Sequence, residues 1–159
     1  MSSVEEKLNN AAYYGDVDDV LSLLRDHPGL DVNWADNSQW TALHWASTKG
    51  HVEVVKVLLA HPHINVNIKD RDGETPFSNS CYGGSVSVVC VLLNDPRVNV
   101  TVANDDGCTP LWHASYMGRH EVVEWLVASG KDLGDINQTK GKWRSQEYSA
   151  LEIAREERE

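Results

Sequence analysis

The sequence predicts an all-α solenoid, in which short helix-turn-helix units stack along one axis and are joined by hairpin fingers. Segments that begin at Thr41, Thr75 and Thr109 align without gaps at a spacing of 34 residues, and each ends in glycine. An apolar segment in constant register follows each of them. Periodicity of this length is typical of solenoids, because one unit cannot bury its apolar face alone. The 159 residues, 41% of them hydrophobic, have the size of a single domain, 1–159.

The first helix of each unit is predicted between a threonine and a glycine. Thr75 can cap a helix through its hydroxyl, and Pro76 then takes the first helical position, where a missing N–H costs nothing. Gly84 ends this helix, as Gly50 and Gly118 do in the neighbouring units. The same positions therefore predict three equivalent first helices.

A second helix and a finger complete each unit. Residues 88–93 place valines and leucines on one helical face, and Asp95 and Pro96 stop the helix. Residues 98–101, like 64–67, alternate as an extended strand does, and residues 104–107 have the composition of a turn. We therefore expect a hairpin finger before each following first helix.

These residues resemble the pattern of ankyrin repeats, in which Thr-Pro-Leu-His opens the first helix and Val-Val with later leucines forms the second. The resemblance covers nearly the whole chain. It implies an ankyrin-repeat solenoid with an N-terminal capping unit at about 1–35, repeats at about 36–69, 70–103 and 104–137, and a C-terminal unit at about 138–159.

Two positions depart from the family pattern. Gln39 stands where Gly73 turns the next finger, so we expect either a strained left-handed residue or a differently bent finger. Trp112 and Ser78 hold the position of His44, so the threonine–histidine hydrogen bonding of the family is expected only between Thr41 and His44.

The C-terminal unit is irregular. Residues 149–154 resemble the start of another first helix, displaced by an insertion relative to the 34-residue period. Either a polar, charged helix caps the array, or the chain ends inside a longer array. Terminal units of solenoids are usually atypical, which favours the cap.

Charge and cysteine content limit the partners and the compartment. With 24 acidic against 14 basic side chains the net charge is −10, so nucleic acid and an anionic membrane surface are poor partners. Three cysteines without paired spacing, and an N-terminus without an apolar run, indicate a reducing compartment. We expect a cytoplasmic or nuclear protein that is a monomer on its own.

No residue pattern indicates an enzyme, a cofactor or a metal site. His61 and His63 have no cysteine or carboxylate at zinc-ligand spacing, and the aspartates of the fingers lack the closing glutamate of a calcium loop. Cys81 falls at a core alanine position, where cysteine acts as a small hydrophobe, and Cys90 at a position expected to face solvent. A structural role explains each of these residues better than a metal-binding or catalytic role does.

The resemblance implies that a partner protein binds the concave face formed by the fingers and first helices. Tyrosine recurs there at one position of three units, and tyrosine is a favoured interface anchor. The acidic third finger would suit a basic partner. The candidate contact residues are Tyr13, Tyr14, Asn37, Trp40, Thr48, Lys49, Arg71, Asp72, Glu74, Tyr82, Asp105, Asp106, Tyr116 and Met117.

Three further tryptophans lie in the predicted helices. Trp125 aligns with valines of the second helices and is expected in the core, whereas Trp45 and Trp112 can be either core or surface.

One alternative function is that of a substrate: Asn33 and Asn67 occupy hairpin positions resembling those that asparaginyl hydroxylases modify. Another is a structural spacer within a larger ankyrin-containing protein, which would need no adhesive surface.

Overall fold

The computed structural model describes residues 2–134, 140–143 and 146–149. This part of the chain contains eight helices and one two-stranded antiparallel hairpin. The elements are α1 (Val4–Tyr14), α2 (Val17–Asp26), α3 (Ala42–Lys49), α4 (Val52–Leu59), α5 (Pro76–Gly83), α6 (Val86–Asn94), α7 (Pro110–Tyr116), α8 (His120–Ala128), β1 (Lys140–Trp143) and β2 (Gln146–Ser149). None of the described helices is both long and apolar enough to cross a membrane.

The first helices begin at the predicted threonines, and α3 and α5 end at the predicted glycines. The hydroxyls of Thr41, Thr75 and Thr109 each accept a hydrogen bond from the backbone N–H three residues later. Helices α3 and α5 end at Gly50 and Gly84, whose φ angles of 78° and 79° lie in the left-handed region. Glycine adopts this conformation without steric cost, so it stops each helix and lets the chain reverse.

The helices form two layers. In the inner layer α1 packs against α3, α3 against α5, and α5 against α7; in the outer layer α2, α4, α6 and α8 follow one another in the same way. The apolar core lies between the layers and runs the length of the stack. Leu58, Leu92 and Leu126 are at most 1% exposed, which confirms the register predicted for the second helices.

The fingers are turns rather than paired strands. Oδ1 of Asp70 accepts hydrogen bonds from the N–H groups of Asp72 and Glu74, and the Asp70 N–H donates back to the Glu74 carbonyl. Asp36 and Asn104 hold the other two fingers in the same manner. One side chain therefore fixes each finger from inside its turn.

The extended strands predicted at 64–67 and 98–101 are wrong, because both segments contain a turn and no regular strand. Of the two alternatives expected for the first finger, the structure has the left-handed residue: Gln39 has a φ of 61°. In the other two fingers Gly73 and Gly107 adopt this conformation, with φ of 80° and 82°. Gln39 has a Cβ atom, which makes the left-handed conformation strained.

The C-terminal unit is described only in part. Strand β1 pairs with β2 so that Lys140 lies opposite Ser149 and Trp143 opposite Gln146. Ser149, where a helix was expected to start, is the last residue of β2. The rest of that expected helix, 150–154, lies outside the described residues.

Candidate protein-binding face

The inner layer and the fingers share one surface, which we call the groove face: the exposed side of α1, α3, α5 and α7 together with the finger residues 36–40, 70–74 and 104–108. Three of its predicted tyrosines are exposed. Tyr13 is 36% exposed, Tyr14 76% and Tyr82 46%. Tyrosines at this exposure present both a ring face and a hydroxyl to a partner.

Tyr116 is not exposed like its counterpart Tyr82, although the sequence places both at the same position of the repeat. Its ring stacks on Trp112, with centroids 5.0 Å apart and an interplanar angle of 17°, and Trp112 is only 4% exposed. The neighbouring Met117 is likewise half-buried. The buried indole in the position of His44 thus holds Tyr116 against the core, which shortens the exposed tyrosine row.

An aromatic cluster covers the N-terminal end of the groove face. The rings of Trp40 and Trp45 are 4.4 Å apart, and Tyr13 meets Trp45 edge to face at 5.1 Å. The ammonium of Lys49 lies 4.4 Å from the centre of the Tyr13 ring, an arrangement that the ring quadrupole favours. Trp40 and Trp45 are half-buried because they pack on each other.

Glu74, predicted on the exposed face, is largely buried in a polar network between two repeats. Its side chain is 13% exposed, and its Oε1 lies 2.7 Å from Nε2 of His113. Ser78 and Asn104 donate hydrogen bonds to the same carboxylate. Burial raises the pKa of Glu74, but His113 and these two donors outweigh burial and leave the pKa below its usual value.

The fingertips remain exposed while their backbones join neighbouring fingers. The Arg71 N–H donates to the Ser38 carbonyl at 3.3 Å, and the Asp105 N–H donates to Asp72 at 3.1 Å. The Arg71 guanidinium also donates to the carbonyl of Asn37. These bonds align the fingers as one row, and the candidate residues Asn37, Arg71, Asp72, Asp105 and Asp106 are exposed along it.

Two side chains at one position of the repeat anchor fingers to helices. His44 Nδ1 lies 2.9 Å from the Thr41 hydroxyl, and its Nε2 lies 3.2 Å from the Glu74 carbonyl of the next finger. In the first unit Asn9 does this instead, donating to the Trp40 carbonyl at 3.0 Å. The predicted Thr41–His44 bonding is confirmed, and burial lowers the pKa of His44. The role of Asn9 was missed, because asparagine does not match the family pattern.

Two family models match the sequence of this chain. The model described as ankyrin repeats in many copies matches residues 8–59 and 43–93, and a single ankyrin repeat model matches 106–140. The first of these alone spans more than half of the chain. The chain belongs to the ankyrin repeat family. No curated protein matches the sequence. Ankyrin repeats are generally modules for protein–protein interaction, and the family is generally non-catalytic.

The two asparagines considered as hydroxylation sites form hydrogen bonds to the following repeat. Asn67 donates to the Arg97 carbonyl at 2.8 Å, and its Oδ1 accepts the N–H of Asn99 at 2.8 Å. Asn33 bridges to the next repeat in the same way, through His63 and the N–H of residue 65. Both amides therefore connect successive repeats, a structural role that sequence spacing did not reveal.

Cys81 on the inner helix α5 and Trp125 on the outer helix α8 were both predicted in the core. Cys81 is fully buried, as predicted, and burial raises the pKa of its thiol. Trp125 was predicted in the core, but it is 47% exposed, so that prediction is wrong. Among the described helices of the outer layer, α8 has only α6 beside it, and none of them follows α8 to cover this indole.

The described residues contain no group of three or more histidine, cysteine, aspartate or glutamate side chains placed to hold a metal ion. His61 and His63 lie near each other, with ring centroids 5.9 Å apart. Two imidazoles alone are too few ligands for a structural zinc site, which takes four. His61 and His63 are therefore not assigned to the candidate protein-binding face.

Proposed function

We propose that this chain binds another protein through its groove face and that Tyr14 and Tyr82 are principal anchors. The observation that carries the proposal is that aromatic rings project from the inner helices α1 and α5 with exposures of 76% and 46%. Neither ring is needed to cover the core. Tyr82 occupies the repeat position of Tyr13, and Tyr14 is the next residue. Exposed tyrosine supports a contact surface, because its large rigid ring loses little conformational entropy on binding.

The charge of the face supports a partner that is basic around the third finger. Asp105 and Asp106 are exposed at that fingertip, and the chain as a whole carries a net charge of −10. Opposite charge on a partner would accelerate association, and this gain would fall with added salt. We further propose that binding takes place in the cytoplasm or nucleus, with this chain as a monomer.

The two alternative functions make different demands on the same surface. A structural spacer would not need exposed tyrosines on the groove face. A hydroxylase substrate would have to release Asn33 or Asn67 from the bonds that connect successive repeats before the enzyme could reach the side chain. Intact-mass measurement of the protein from its native cell, with the mass of one added oxygen as the signal, tests the second alternative.

Capture from a cell lysate tests the binding proposal. A partner should be retained by the wild-type chain and lost from the variant carrying Tyr14→Ala and Tyr82→Ala, since removal of a true anchor weakens a complex by about 2 kcal/mol or more, roughly 30-fold. Lys56→Glu on the outer layer, where Lys56 forms an exposed ion pair with Glu53, is the matched control. The proposal fails if the tyrosine variant retains the partner and Lys56→Glu loses it.

A further inference from the structure

A cavity with aromatic walls lies where α1, α3 and the first finger meet. Its volume is about 500 Å³. Tyr13 and Tyr14 line it from α1, Trp45 from α3, and Trp34 from the segment that leads into the finger. Four rings around one space offer several π-faces to a single guest.

Two carboxylates line the same cavity. Glu6 accepts a hydrogen bond from the N–H of Ser3, and Asp36 accepts one from the indole N–H of Trp45 at 3.2 Å. Both acids are therefore held in position by neutral donors. Within the described part of the chain, neither is paired with a cationic side chain.

Lys49 shows that one of these rings already attracts a cation. The Lys49 ammonium rests over one face of Tyr13, outside the residues that line the cavity. Cation–π attraction of this kind is stronger where several rings and a carboxylate surround the cation and exclude water. Four rings and two carboxylates line the cavity, whereas the contact made by Lys49 is with the single ring of Tyr13, so the cavity is better matched to a cation.

We propose that this cavity binds an arginine side chain of the partner protein, an inference that rests on the proposed binding function. A guanidinium is flat, so it can stack on an indole or phenol ring, and its five N–H donors can serve two carboxylates at once. A lysine ammonium has no flat face to stack. An apolar guest would leave Glu6 and Asp36 desolvated without compensation, and an anion would be repelled by them.

Short peptides test this proposal directly. The probes are glycine–serine peptides with one central arginine, with citrulline as the neutral isostere, or with lysine, titrated into the isotope-labelled chain and followed by NMR. The arginine peptide should shift the indole N–H signals of Trp34 and Trp45. The citrulline peptide should bind at least about tenfold more weakly, since it keeps the shape and loses the charge. Equal binding of both, or tighter binding of the lysine peptide, overturns the proposal.

Two variants with opposite expected effects sharpen the test. Glu6→Gln should weaken arginine binding several-fold, yet preserve the end of α1, because glutamine also completes a capping box with Ser3. Lys49→Ala should strengthen binding, because it removes a like charge and uncovers the Tyr13 ring. An unchanged affinity in both variants contradicts the proposed site.

The groove variant Tyr82→Ala separates the two proposals, because Tyr82 does not line this cavity. It should bind the arginine peptide as the wild type does and should weaken the captured partner. If the arginine peptide fails to bind while Tyr82→Ala still loses the partner, the cavity proposal falls and the groove proposal stands. If the peptide binds but partner capture is unaffected by both Tyr14→Ala and Tyr82→Ala, the groove proposal falls.

Discussion

Nε2 of His113 lies 2.7 Å from Oε1 of Glu74, so a base on α7 meets an acid on the preceding finger across the boundary between two repeats. The pKa of Glu74 is below its usual value, because His113 and the donors Ser78 and Asn104 together outweigh the effect of burial. Its ionised form therefore stabilises the fold above the unfolded pKa of about 4.3, and this contribution is lost as the pH falls through the lower folded value.

Glu74→Gln should consequently be less stable than wild type at neutral pH, by about 1.5–3 kcal/mol for lost charged hydrogen bonds. The difference should shrink as the pH is lowered past about 4. Urea unfolding followed by circular dichroism at a series of pH values measures both effects. His113→Gln is the complement: it removes a contact that helps to keep the Glu74 pKa low, so this variant should lose less stability than wild type as the pH falls past about 4. Parallel curves for all three proteins would disprove the coupling.

Gln39 and Gly73 give a matched pair of backbone tests. Gln39 holds a left-handed φ of 61° that costs a residue with a Cβ about 1–2 kcal/mol, whereas glycine adopts it freely but loses more entropy on folding. Gln39→Gly should therefore raise the free energy of unfolding by up to about 1 kcal/mol. Gly73→Ala should lower it, because the new Cβ would lie 2.5 Å from Oδ1 of Asp105. A loss of stability in Gln39→Gly would show that this turn is not strained.

Much of this fold could be predicted from sequence because its signals are local. Thr75 caps the helix that it begins, Gly84 ends it, and Leu92 falls on the buried face that its spacing indicates. Each of these effects acts within about one helical turn, so neighbouring residues suffice to reveal it.

The errors have physical causes that lie beyond neighbouring residues. Alternation at 64–67 cannot distinguish a strand from a turn held by asparagine amides, because both expose every second side chain. Trp125 shares its repeat position with Val57 and Val91, but those valines lie between two outer helices and Trp125 does not. The contact between Glu74 and His113 joins residues far apart in the chain, so spacing gives no sign of it.

The asparagine bridges between repeats should have a measurable effect on stability. Asn67→Ala removes two hydrogen bonds to the following repeat, those with Arg97 and Asn99, and should cost about 1–2 kcal/mol. Asn94→Ala, at the exposed end of α6, is the matched control and should stay within about 0.5 kcal/mol of wild type. Equal effects in thermal or chemical unfolding would show that the bridge at Asn67 adds nothing to the stack.

Tyr82 and Tyr116 occupy one position of the repeat but should respond differently to truncation. Tyr82 is 46% exposed and makes an edge contact with His113, so Tyr82→Ala should cost about 0.5–1 kcal/mol. Tyr116 packs against the core and stacks on the buried Trp112, so Tyr116→Ala should cost about 2 kcal/mol or more. Leu92→Ala in the fully buried core, expected at about 2–5 kcal/mol, sets the upper reference. Chemical unfolding of the three variants should rank them in this order. If Tyr116→Ala is as stable as Tyr82→Ala, the stacked pair does not hold α7 to the core, and Tyr116 becomes comparable to Tyr82 as a candidate contact residue of the groove face.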